Sequence, residues 1–310
     1  MSLGVPPWFT LPYCSPFIGA AERSRYPEFE GVEMQVTFYG VRGSTPCAGE
    51  ATARYGGNTA SVVITQQDHD PILLDLGTGL RYFGATCDPT VPFSGHALVT
   101  HLHWDHVQGL PFSAPMLRAG DRVALYGPSH DGVGFPEAFD QLMRPPFFPV
   151  RACELPAELS FATLEPGMHD IAGAKVTALH VPHTDTTFGY RVERDGVVVA
   201  YVSDHQQPLD ADHVDPGVLE LCAGADLLIH DAQYTEAEFA MKSTWGHCTV
   251  DYALTVASRA GVKTLALFHH DPSHDDAQLD ALLADAIVTG AALGITSVIS
   301  AHEGLCITLA

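Results

Sequence analysis

Seven short apolar runs do most to limit the fold: Met34–Tyr39, Ala60–Thr65, Ile72–Leu74, Ala97–Thr100, Val197–Ser203, Asp226–Ile229 and Thr264–Phe268. Their length and β-branched content predict strands. Five are followed at once by ionisable residues: Asp75, His101, Asp204, the pair His230-Asp231 and the pair His269-His270. Buried strands that deliver Asp or His to one rim are how open α/β sheets build sites. Helical spacing appears between and after them. Val250, Ala253, Leu254 and Ala257 predict a helix over Val250–Ala260 that stops at Gly261, and Ala277–Leu293 reads likewise, with Asp275 or Asp276 as N-cap. A third helix is expected over Glu137–Met143, ahead of the breaker Pro145-Pro146. The class is α/β.

Charge narrows the function classes. Lys and Arg total 15 against 37 Asp and Glu, a formal charge of −22, while histidine alone numbers 17. A chain so acidic cannot easily supply the basic stripe that long nucleic acids require, and an acidic membrane surface repels it. Both are expected to be absent from its partners. Cations are attracted instead, and imidazole with carboxylate is a ligand set for zinc, iron or manganese. With 46% hydrophobic residues the chain can bury a sizeable core, and no run approaches a membrane span. The N-terminus lacks the basic and continuous apolar regions of a signal peptide. The seven cysteines are scattered without a CxxC, which suits a reducing cytoplasm. Residues 1–33, rich in Pro and aromatics, read as an N-terminal arm, and 34–310 as one domain.

The sharpest local signal is His101-Leu102-His103-Trp104-Asp105-His106, directly after a strand. Histidines at i and i+2 of an extended segment project to one side, and the following turn brings Asp105 and His106 to the same point. Four ligand-competent groups in six residues can serve two cations about 3.5–4 Å apart, the separation found in two-metal hydrolytic sites.

With this HxHxDH the sequence resembles the metallo-β-lactamase-fold hydrolases, from about Met34 to the C-terminus. Further motifs are similar to the branch that holds ribonuclease Z and small cyclic-nucleotide or cyclic-phosphate diesterases. They are Gly40-Val41-Arg42-Gly43-Ser44-Thr45-Pro46, Tyr55-Gly56-Gly57-Asn58-Thr59, Asp75-Leu76-Gly77-Thr78-Gly79-Leu80, His183 ahead of Gly189-Tyr190-Arg191, Trp245-Gly246-His247, and Leu267-Phe268-His269-His270-Asp271-Pro272. The resemblance implies a four-layer αβ/βα sandwich with metals at one edge. It implies that His101, His103 and His183 hold one divalent metal ion and Asp105, His106 and His269 a second, with Asp204 between them. Zinc is the first choice, with manganese or iron as alternatives. His180 competes with His183 by composition and is expected in the core or behind the ligands. His270 competes in the same way with His269. Asp75 matches the aspartate that orients a ligand or the shared water. His247, steadied by Asp231, matches the histidine that helps the leaving oxygen depart. Family habit also implies a homodimer.

The expected activity is phosphodiester hydrolysis of a small anionic substrate such as a cyclic nucleotide or cyclic phosphate, by a water shared between two cations that loses its proton near neutral pH. The chain shows no Gly- and basic-rich insertion of the kind that clamps transfer RNA. Two other readings remain open: a lactone, thioester or other acyl hydrolase on the same metals, and a metal-binding sensor or interaction domain without turnover. The N–H groups of Ser44–Thr45 and Gly56–Thr59 are candidates for anion binding. Trp104, Phe112, Met116, Phe135, Phe139, Phe147 and Phe148 are candidates for a pocket wall or for core.

Overall fold

A computed structural model describes residues 33–210 and 212–310, so the expected arm lies outside the described residues apart from Glu33. Fourteen strands form two seven-stranded sheets among the described residues. The first comprises β1 (Met34–Gly40), β2 (Ser61–Gln66), β3 (Ile72–Leu74), β4 (Ser94–Leu98), β5 (Arg122–Gly127), β6 (Glu158–Thr163) and, returning from the far end of the chain, β14 (Cys306–Leu309). The second runs from β7 (Gly167–Ile171) through β8 (Ala174–His180), β9 (Phe188–Arg194), β10 (Val197–Val202), β11 (Leu227–Asp231) and β12 (Thr264–Phe268) to β13 (Ser297–Ser300). Their spatial orders are β14-β1-β2-β3-β4-β5-β6 and β13-β12-β11-β10-β9-β8-β7. The helices are α1 (Leu80–Thr86), α2 (Trp104–Val107), α3 (Phe135–Leu142), α4 (Pro216–Cys222), α5 (Glu236–Lys242), α6 (Val250–Ala260) and α7 (Asp276–Ala292).

The apolar runs are continuous because both faces of the central strands are covered. Alternate residues go to opposite sides. On β10, Val199 and Tyr201 enter the core between the sheets, while Ala200 and Val202 face α4 and α6. On β12, Ala266 and Phe268 point inward and Leu265 and Leu267 outward. The first sheet does the same: Leu74 and Leu98 join the central core, whereas Leu73 and Ala97 pack outward with Leu80, Phe83 and Phe135. The layers are therefore helix, sheet, sheet, helix, the αβ/βα sandwich that the motifs implied.

Sequence and structure agree closely where the apolar signal is strong. β12 and α6 have the expected bounds, and Gly261 closes α6 in the left-handed region at φ 67°. Asp275 caps α7 by accepting from the Gln278 N–H at 2.8 Å. The fourth run is displaced: the strand is Ser94–Leu98, and Val99–Thr100 form the extended lead into His101. Parallel pairing of β3 with β4, and of β10, β11 and β12 in turn, brings the C-terminal ends of all five to one edge. That edge carries the chemistry.

Candidate metal centre

β4 leads into His101 and His103, and the first turn of α2 supplies Asp105 and His106. The loops after β8, β10 and β12 bring His183, Asp204 and His269. Three nitrogens converge on one side: His101 Nε2 lies 2.8 Å from His103 Nδ1, which lies 3.4 Å from His183 Nε2. On the other, Asp105 Oδ2 lies 3.2 Å from both His106 Nε2 and His269 Nε2. Asp204 spans the two. Its Oδ1 lies 3.1 Å from His106 Nε2 and 3.4 Å from His269 Nε2, and its Oδ2 lies 3.8 Å from His101 Nε2 and 3.9 Å from His183 Nε2.

The donor set fits divalent cations. His106 Nε2 and Asp204 Oδ1 are buried and approach to 3.1 Å, yet neither makes a hydrogen bond. Buried polar atoms that face one another unsatisfied are costly, and a cation between them removes the cost. Imidazoles and carboxylates without thiolate suit zinc, manganese or iron. The electrostatics agree. Burial alone would raise the Asp204 carboxyl, but His106, His269 and His101 hold it well below the usual range. Burial alone would lower His106, but Asp204, Asp105 and Asp75 raise it well above its ordinary value. Without metal, protons compensate the buried carboxylates, so metal binding here displaces protons.

Two surrounding aspartates orient ring nitrogens. Asp75, fully buried at the end of β3, accepts from His106 Nδ1 at 2.7 Å, which turns His106 Nε2 toward the cluster. Asp231, at the end of β11, accepts from His247 Nδ1 at 2.9 Å through the same oxygen that takes the His205 N–H at 3.0 Å. His247 belongs to a fourth group of converging ligand atoms, with Asp204 and His269, and its Nδ1 lies 3.8 Å from Asp204 Oδ2. Its bond to Asp231 commits Nδ1 to a donor role. Backbone strain collects here as well: Asp75, His269 and Ser44 have φ of 58°, 57° and 61°.

The two histidine ambiguities take definite geometry. His269 enters the cluster, whereas His270 turns away to donate to the Ala301 carbonyl at 2.9 Å, and burial pushes its imidazole down to about 3. His183 enters the cluster, and His180 differs from its expected place: it is exposed at the end of β8, with its ring against Phe188. Five of the six loop N–H groups considered for anions are spent on the protein itself. Ser44 N–H donates to Asp105 at 2.7 Å, Thr45 to Gly43, Gly56 to Thr52, Asn58 to Glu303 and Thr59 to Thr78. Met116, Phe135 and Phe139 are core, while Trp104, Phe112 and Phe147 are exposed. Sequence reasoning passed over Gln233, whose Oε1 accepts from His269 Nδ1 at 2.8 Å. Its place four residues after the run Asp226–Ile229 carries no distinguishing signal.

Close packing behind His269 yields a prediction. A Cβ on Gly43 would sit 2.3 Å from His269 Nδ1 and 2.6 Å from Gln233 Oε1. Gly43→Ala must displace the ring or its acceptor, and disturbing such outer partners costs about 10- to 100-fold in metal affinity or activity. Metal titration and turnover, with circular dichroism to confirm folding, test this. Unchanged metal affinity in a folded variant contradicts it.

The β-lactamase superfamily domain model matches residues 70–270, well over half of the chain. The chain belongs to this superfamily. It is a metal-dependent hydrolase. A ribonuclease Z of Synechococcus sp. (strain CC9311) is 28% identical over 88% of this chain and 98% of its own length. A second, from Haloarcula marismortui, is 27% identical over 76% and 86%. The crystal structure of the short form of human tRNase Z superposes with a TM-score of 0.60 at 22% identity, covering 88% of this chain and 98% of that one. These likenesses overturn the expectation that long nucleic acid is excluded. The inference from charge failed because −22 sums the whole chain, whereas a substrate meets the local field of a cluster built to hold cations. Among the described residues no helix is long and apolar enough to cross a membrane.

Proposed function

We propose that this centre hydrolyses a phosphodiester bond in RNA, with two divalent cations, zinc first, held by His101, His103 and His183 on one side, Asp105, His106 and His269 on the other, and Asp204 between. The observation that carries the reading is the His247–Asp231 pair at 2.9 Å, placed within the same cluster as the ligand atoms. A thioester, whose thiolate departs readily, does not demand such a proton donor as a poor alkoxide leaving group does. Bound cations supply charge neutralisation at the phosphoryl oxygens and activation of a water. His247 holds its Nδ1 proton on Asp231 and gives the proton on Nε2 to the departing oxygen. Asp231 fixes the ring through its 2.9 Å hydrogen bond to Nδ1. Cys248 takes no part, since burial pushes its thiol up and its Sγ contacts the Asp231 carbonyl at 3.0 Å. The ribonuclease Z names of the relatives support RNA as substrate class.

Metal-reconstituted protein should cleave a single-stranded oligoribonucleotide and bis-p-nitrophenyl phosphate in preference to a lactone or a thioester. His247→Ala should lower kcat on the oligoribonucleotide by about 10²- to 10⁴-fold. The loss should be smaller on the nitrophenyl ester, whose leaving group needs no proton. Cleavage of the lactone or thioester alone overturns the reading. So does a protein that binds two cations and turns over nothing, which would be a sensor.

A further inference from the structure

Both described tryptophans stand in solvent: Trp104 is 73% exposed and Trp245 62%. Tryptophan is on average a highly buried residue, so two exposed indoles need a reason. Each is one peptide bond from the metal cluster or its support. Trp104 lies between His103 and Asp105, and Trp245 precedes Gly246 and His247. The two attachments meet at His183, whose Nδ1 donates to the Gly246 carbonyl at 2.8 Å and whose Nε2 lies 3.4 Å from His103 Nδ1. Trp245 is also held in place. Its backbone N–H donates to the Lys242 carbonyl at 2.9 Å, and Lys242 Nζ sits 5.8 Å from the centroid of its ring. The same ammonium lies 4.8 Å from the Tyr234 ring, which packs edge-on against His247 at 5.7 Å.

We propose that Trp104 and Trp245 are stacking platforms for unpaired bases on either side of the scissile phosphate, so that the substrate enters the centre as a single strand. This rests on the phosphodiester reading and deepens it. Every base has a π-face, so indoles grip a strand without regard to sequence, and a base held inside a duplex cannot reach them. The chemistry favours bases over a protein partner. A protein docked on residues adjoining both His103 and His247 would cover the cluster, whereas bases arrive attached to the phosphate that the cluster acts on. Lys242, whose Nζ is paired with Asp271 Oδ2 at 3.1 Å, fixes the position of Trp245 and does not serve as a free cation for the strand.

The test compares a single-stranded oligouridylate with copies that carry an abasic residue on one or the other side of the linkage cut by the wild type. For the metal-loaded wild type, kcat/KM should fall about 5-fold or more on removal of a stacked base. In Trp104→Ala the ratio of intact to abasic substrate should collapse toward one on one side of the linkage, and in Trp245→Ala on the other. The phenylalanine variants should keep most of it. The ratio cancels any loss from disturbing neighbouring ligands. Equal ratios in wild type and both alanine variants overturn the proposal. If no oligonucleotide is cleaved, the phosphodiester reading fails separately. Quenching of tryptophan fluorescence by the oligouridylate then decides the stacking: quenching lost in the alanine variants sustains it, and no quenching in the wild type ends it.

Discussion

Asp204→Asn should reduce bound divalent metal from two ions per chain to at most one and lower phosphodiester turnover by about 10³-fold, as the loss of several kcal/mol of charge stabilisation requires. The substitution keeps the side-chain shape but removes the charge and exchanges one ligand oxygen for an NH2. Its effect should exceed that of any single histidine, because among the described residues Asp204 alone has carboxylate oxygens within 4 Å of ring nitrogens in both halves of the cluster: 3.1 and 3.4 Å to His106 and His269, 3.8 and 3.9 Å to His101 and His183. A histidine variant such as His103→Ala should cost mainly the ion on its own side. Elemental analysis after dialysis, with steady-state turnover on the same samples, checks both numbers. Full metal content and near-wild-type turnover in Asp204→Asn would show that the carboxylate is not shared.

The pattern that made the site legible was the repeated ending of apolar runs in Asp or His. It worked because β3, β4, β10, β11 and β12 are covered on both faces and pair in parallel, so their ends must fall on one edge. HxHxDH was legible for a local reason, as all its groups lie within six residues and need only a strand followed by a turn. Elements at the margins were not. Strand β6 alternates exposed and half-buried residues and carries no continuous apolar run, and α4 and α5 are seven residues each, too short to show a helical period. The choice between His180 and His183 depends on where β8 ends, and strand ends are the least certain part of any such reading. Nor could spacing show that the loop N–H groups of Ser44 and Asn58 are already bonded to Asp105 and Glu303, partners 61 and 245 residues away. Total charge misled for a related reason: it is a sum without positions.

Asp75 shows how far fold and site share the same atoms, and Asp75→Ala should therefore damage both. The carboxylate is fully buried and accepts from the Thr100 N–H at 2.8 Å, the Thr100 hydroxyl at 3.0 Å, Tyr201 OH at 2.9 Å and His106 Nδ1 at 2.7 Å. These partners belong to the loop after β4, to β10 in the opposite sheet and to α2, so one side chain ties both sheets to the metal cluster. Removing it strands a buried hydroxyl and a backbone N–H, and breaking a buried charged network of this kind costs about 3–5 kcal/mol. Alanine also inherits a left-handed backbone, φ 58°, that aspartate tolerates better, which adds about 1 kcal/mol. Asp75→Gly should recover that last part and no more. Denaturant unfolding of chelator-treated protein measures the loss apart from any bound metal. Asp75→Asn separates the second role: it keeps the volume and most acceptors but offers His106 Nδ1 an N–H as readily as an oxygen. Once His106 can turn its protonated nitrogen toward the cluster, metal affinity should fall about 10- to 100-fold with a much smaller change in stability. An Asp75→Asn protein that matches the wild type in metal affinity, or an Asp75→Ala protein with an unchanged unfolding midpoint, would separate the two functions that the structure joins in this residue.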